Sequence, residues 1–160
     1  MKRFIISLTM LVGLLELSAQ GIYPGINGRY DLMLDQFKRS GLVKKDIIEG
    51  ETMFQFPGKK DYFITIEKGK NNSISHIVEY YKFYTKSEGM NLTSRIKKSL
   101  LGIRSKTIIL GGYKYLAYTN RRTGKDYCNI VLGYPEYFYS YSGYRYVVKV
   151  LYFPTKRLYY

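Results

Sequence analysis

The chain alternates between two rhythms of apolar spacing. Near its start Tyr30, Leu34 and Phe37, with Met33 beside them, recur at helical intervals. That spacing predicts a helix from Gly28 or Arg29, with Asn27 placed to cap it and Gly41 placed to stop it. The rhythm then shortens to strand spacing. Asp46–Phe56 is the first strand-like run, with a break at Glu49-Gly50-Glu51. After the turn Pro57-Gly58 comes Asp61–Lys68, where Tyr62, Ile64 and Ile66 alternate with more polar positions. Gly69-Lys70-Asn71-Asn72 signals another turn, and Ser73–Tyr84 is a long β-branched and aromatic run.

Helical spacing returns at Leu92, Ile96, Leu100 and Ile103, with Ser87 or Asn91 as candidate caps and Arg95, Lys97 and Lys98 off the apolar stripe. Three strand-like runs follow: Thr107–Thr119 with a break at Gly111-Gly112, Asp126–Gly133, and Tyr144–Phe153. In the last, Tyr144, Tyr146, Val148, Val150 and Tyr152 make one wholly apolar face. The order helix, three strands, helix, three strands reads as two units of about 65 residues, 27–84 and 87–153. Short turns imply antiparallel pairing. The expected fold is α+β: an antiparallel sheet with two helices packed on one face.

The first residues have a different pattern. Met1-Lys2-Arg3 precedes an apolar run from Phe4 to Leu15, broken only by Ser7, Thr9 and Gly13. Glu16 ends it, and Leu17-Ser18-Ala19-Gln20-Gly21 supplies small residues. This is the signature of a secretory signal peptide over 1–20, cleaved after Ala19 or Gln20. The alternative is an uncleaved anchor, but the run is too short to span a bilayer comfortably. No Cys follows the run, so the expectation is export to the periplasm, cell surface or medium without N-terminal lipidation, and with no transmembrane segment after cleavage. Residues 21–160 then form a single domain.

Composition sharpens this picture in two ways. The formal charge is +14, of which Lys2 and Arg3 against Glu16 carry one unit, so the basic balance belongs to the exported part. Such a charge favours anionic partners. The chain also holds 19 Tyr, no Trp and a single Cys, Cys128, so no intramolecular disulfide can form. Export demotes nucleic acid as the natural target and points to a protein or an anionic polysaccharide.

The signal segment, the Asn27-Gly28 entry into the first helix and the repeat order resemble small exported bacterial proteins with repeated helix-plus-strand units. These include the β-lactamase inhibitor protein and the small domain of the outer-membrane-assembly lipoprotein. The chain departs from them in its positive charge and in lacking lipidation and disulfide cysteines. The resemblance implies a binding or assembly role and carries over no site residue.

Candidate chemistry is sparse. His76 is the only histidine, and Glu79, three residues on, falls on the opposite face of an ideal strand. Glu67, His76 and Arg122 are the candidates for a small hydrolase such as a secreted ribonuclease, which needs those residue types on one sheet face. Cys128 shares a strand face with Ile130 and Leu132, the setting of a buried thiol. One His and one Cys make no zinc site, and no run matches a phosphate loop or a dinucleotide fingerprint, so no cofactor is expected. The balance of these features leans away from an enzyme.

Binding residues stand out more. Tyr134–Tyr144 is built of Tyr, Ser and Gly, the palette of adaptable recognition loops, although its rings could also fold back over the sheet. Tyr137, Tyr139 and Tyr141 are its candidate contacts. Arg121, Arg122 and Lys125, in the turn before Asp126, are candidate steering charges for an anionic ligand.

Overall fold

A computed structural model describes residues 26–48, 50–100, 105–119, 129–139 and 142–154. The signal segment at 1–20 therefore lies outside the described residues, as do Cys128, Arg121, Arg122, Lys125 and Tyr141.

The first helix, α1, spans Tyr30–Arg39. Its N-cap is Arg29, with no side-chain cap bond, and not Asn27 as the sequence suggested. Gly41 does stop it, with φ at +84°. The Leu42 amide donates to the Phe37 carbonyl and the Gly41 amide to that of Lys38, a Schellman closure with Phe37 and Leu42 both buried beside it.

Each long strand-like run with a glycine break becomes a hairpin. β1 (Val43–Ile48) and β2 (Glu51–Gln55) fold about Gly50, whose φ of +86° explains why the run could not continue straight. β3 (Tyr62–Lys68) follows, then a single 3-10 turn at Lys70–Asn72, where Asn71 and Asn72 take the left-handed conformation that asparagine tolerates. β4 runs Ile74–Phe83. The second helix, α2, spans Lys86–Ser99. Its cap is Thr85, in a reciprocal box with Glu88, which displaces both Ser87 and Asn91 from that role. β5 (Ser105–Leu110) and β6 (Tyr113–Thr119) form the hairpin about Gly111-Gly112. β7 (Asn129–Gly133), the short β8 (Glu136–Tyr137) and β9 (Tyr146–Phe153) complete the chain. Four strands, rather than three, thus follow the first helix.

The fold is α+β, with one nine-stranded antiparallel sheet and two helices among the described residues. The strand order is β1-β2-β3-β4-β9-β7-β6-β5, and β8 pairs with β9 beyond the end of β7. The last strand, β9, sits at the centre, seven residue pairs deep against β4. β9 buries Val148, Val150 and Tyr152 on one face and Val147 on the other, while Lys149, Leu151 and Phe153 beside Val147 stay half-buried.

Register places Phe54, Ile64, Glu79 and Val150 abreast, with Ile66, Ile77 and Tyr152 on the same face two residues along. Met33, Phe37, Leu92, Ile96 and Leu100 from the helices join these apolar side chains in one core cluster. The Phe37 ring meets that of Phe54 edge-on at 5.3 Å. At Gly89 of α2 an added Cβ would lie 2.8 Å from the Pro135 ring and 3.3 Å from Val148 Cγ2, so only glycine allows this close approach. Among the described residues no helix is long and apolar enough to cross a membrane.

Candidate functional site

Two groups of candidate residues lie at opposite ends of the sheet. β4 finishes and β9 starts at one end, and the Tyr-rich segment is fastened there by two backbone bonds. The Phe138 amide donates to the Arg145 carbonyl and the Arg145 amide to the Phe83 carbonyl, both at 2.9 Å. Tyr84 and Tyr144 stack at 4.5 Å with a 25° tilt. Hydrogen bonding to Tyr84 pushes the Tyr144 phenol up to about 12. Tyr137 meets Tyr146 edge-on at 5.8 Å.

Strand alternation sorts the segment. Glu136 and its neighbour Tyr137 point to opposite faces. Glu136 is buried, accepting from the Tyr115 hydroxyl at 2.6 Å and pairing with Lys149 Nζ at 2.8 Å. Burial, and then that bond, raise the Tyr115 phenol above its ordinary range. Tyr137 is left 62% exposed, Tyr139 75% and Tyr84 57%. Neither reading of the segment is complete: the Glu136 position and its neighbours knit it to the sheet while the Tyr137 and Tyr139 rings remain outside, beside Tyr84 at the end of β4. Arg145, next in sequence to Tyr144 and Tyr146, is exposed, as are Lys60 in the turn between β2 and β3 and Lys86 at the start of α2.

The candidate steering residues Arg121, Arg122 and Lys125 belong to the connection between β6 and β7. Its flanking residues Thr119 and Asn129 pair with each other, and Asn129 pairs with Phe153, at the far end of β9 from Tyr146. The eight residues of β9 separate the two ends by about 23 Å. Arg145, which the sequence reading passed over, is the cation whose backbone is pinned beside the exposed rings.

His76 occupies that far end, on the face opposite Glu79, as strand parity requires. Register brings Glu51, Glu67 and His76 abreast on β2, β3 and β4. His76 Nε2 lies 2.9 Å from Glu51 Oε1 and Nδ1 lies 2.9 Å from Glu67 Oε2. The Phe153 ring flanks the imidazole at 5.8 Å. The His76 bond holds the Glu51 carboxyl below its ordinary range, against the opposing effect of burial. An imidazolium can donate to both carboxylates at once, whereas a neutral ring can donate to only one. Glu67 and His76 thus meet, Arg122 lies outside the described residues, and Glu51 is the partner that sequence reasoning missed. Its signal was present: counting back through the turns at 69–73 and 57–61 sets 51, 67 and 76 in one row.

On the core face Glu79 is buried and accepts from three phenols, Tyr62 at 2.8 Å, Tyr81 at 3.1 Å and Tyr152 at 2.7 Å. Burial pushes the Tyr81 phenol well above its ordinary value, with the Glu79 charge adding to it. Three of the 19 tyrosines are thus tied to one buried carboxylate. Among the described residues no group of three or more His, Cys, Asp or Glu is arranged to hold a metal ion. Comparison with family models, with curated proteins and with solved structures returned no match.

Proposed function

We propose that this chain is an exported, non-enzymatic binding module for a protein or anionic glycan of the cell envelope or of a host surface. The observation that carries the reading is the set of exposed rings at the β4/β9 end: Tyr84, Tyr137 and Tyr139, with Arg145 among them. Large rings held by a rigid sheet supply contact area at low entropic cost, and the charge of +14 steers an anionic ligand towards them. Tyr141 belongs to the same segment, and Arg121, Arg122 and Lys125, outside the described residues, are the further steering charges of this reading.

The architecture assigned to this function is a pair of helix-plus-strand units, 27–84 and 87–153, with both helices on one face. The element order supports it, since α1 precedes β1–β4 and α2 precedes β5–β9, the last strand of each series meeting at β4–β9. Phe54, which touches α1, and Val148, which approaches α2, also fall on one face by register. The resemblance to small exported binding and assembly proteins fits the same reading.

Export is tested by the N-terminal sequence of the protein recovered from envelope fractions, which should begin near Gln20 or Gly21. Binding is tested with arrays of sulfated and uronic-acid glycans and by capture of envelope proteins. Tyr137→Ala with Tyr139→Ala should lower the affinity of any ligand found by 10-fold or more, as loss of two aromatic anchors does. Unchanged binding would overturn the assignment. The second reading, a secreted hydrolase, rests on the meeting of Glu67 with His76. RNA cleavage by the wild type that is lost in His76→Ala would establish it in place of the first.

A further inference from the structure

The sheet has two edges, and they are built differently. The outer strand β1 carries Lys44, Lys45 and Asp46, and its register shifts between Lys44 and Asp46. Charges and a bulge of this kind are the devices that keep an edge from pairing with another chain. The other outer strand, β5, lacks both the bulge and the cluster of charges. Its sequence is Ser-Lys-Thr-Ile-Ile-Leu, with one charge and no proline, and its six pairs with β6 run without a shift. Ile109 is 65% exposed, and Ser105, Lys106 and Thr107 are exposed with it. Nothing among the described residues pairs with the outer side of this strand.

We propose that β5 is an interface for a second copy of this chain, the two strands pairing antiparallel to join two sheets into one. This inference does not depend on the binding function proposed above. A two-fold axis normal to the sheet keeps each face continuous across the junction and requires one residue to pair with its own copy. Centring the axis on Ile108 sets Ile108 against Ile108, Thr107 against Ile109, and Lys106 against Leu110. No like charges then stand directly opposite, Ile108 gains an apolar partner in its own copy, and Leu110 lies against the aliphatic stem of Lys106. Centring on Thr107 instead would leave Leu110 without a partner. Strand β1 paired on itself would bring its two lysines and its bulge into the contact. A second copy is favoured over an acidic partner because the strand itself offers only Lys106 to attract one.

Six residues bury less than the ~1,200–2,000 Å² of a standard interface, so the dimer is a weak one, to be sought at protein concentrations on the order of 100 μM. Sedimentation equilibrium of the purified protein should show concentration-dependent doubling of mass. Because both copies carry the same large charge, raising NaCl from about 50 to about 500 mM should strengthen it, by screening the repulsion. Thr107→Lys with Ile109→Lys, both at exposed positions, should abolish the dimer by placing lysines opposite one another. Circular dichroism and thermal unfolding should stay those of the wild type. Ile47→Lys on the β1 edge should leave dimerisation unchanged. In a Cys128→Ser background, Ile108→Cys should form an intermolecular disulfide under mild oxidation several-fold faster than Ile109→Cys. A monomeric wild type at these concentrations, a dimer that survives the double substitution, a dimer that dissolves as salt rises, or faster cross-linking at 109 than at 108 would each overturn the proposal.

Discussion

Carboxylates are few in this chain, and three of them are satisfied in contrasting ways. Glu79 sits in the core against three phenol donors, Glu136 against one phenol and Lys149, and Glu51 against His76. A phenol can bring its hydroxyl to a buried oxygen while its ring packs as a hydrophobe, which suits a core that has no tryptophan. Glu51 differs in being only partly buried, and its partner is titratable. Its carboxyl is held below the ordinary 4.5 in the folded protein, chiefly by the His76 bond. The folded state then binds fewer protons than the unfolded state between those two values. Stability from this group is full above 4.5 and is lost as pH falls through the folded value. Urea unfolding of wild type and Glu51→Gln between about pH 3 and 5.5, below the ordinary imidazole range, should show curves that diverge as pH rises, wild type being the more stable at the upper end. Parallel curves would mean that the bond contributes nothing to folding.

At the scale of elements, α2 is the most constrained piece. Thr85 and Glu88 fix its start, Leu92, Ile96 and Leu100 enter the core, and the Thr93 hydroxyl donates to the Gly133 carbonyl at 3.3 Å. Gly89 is a poor choice for a helix interior by propensity alone, since alanine there would gain about 1 kcal/mol. The approach of Pro135 reverses the sign. A Cβ would meet the stiff proline ring at 2.8 Å, and either helix or loop must move. Gly89→Ala should therefore destabilise the protein by roughly 1–2 kcal/mol net, overpacking outweighing propensity, as read from chemical denaturation. Stabilisation would show that the helix slides freely. Elements like this were largely legible in the chain: both helices and every strand-like run correspond to observed elements, because the core needs their apolar periods. The caps were not. Thr85 competes with Ser87 and Asn91 within one short polar stretch, and only the reciprocal geometry with Glu88 decides among them. Glu51 was hidden for a related reason. It reads as a turn residue beside Gly50 until the hairpin register sets it opposite Glu67 and His76.

For the whole molecule, the decisive feature is where the last strand goes. β9 does not extend an edge; it enters the middle, between β4 and β7, and joins strands 1–4 to strands 5–8. Sequence order alone gives no hint of this, because a meander that simply continued would have the same hairpins and the same periodicity. The consequence is energetic. Val148, Val150 and Tyr152 pack in the same cluster as Phe54 and Ile66 on one side and Ile130 and Leu132 on the other. A core shared in that way should unfold as one unit. Hydrogen exchange of β2–β3 amides and of β6–β7 amides should then report the same global opening free energy. Val148→Ala, at the seam, should lower both by roughly 2 kcal/mol, from the lost methyl groups and the cavity they leave. If only the β6–β7 amides became less protected, the seam would be a contact between two independently stable sheets. The central position of β9 would then contribute to shape and not to cooperativity.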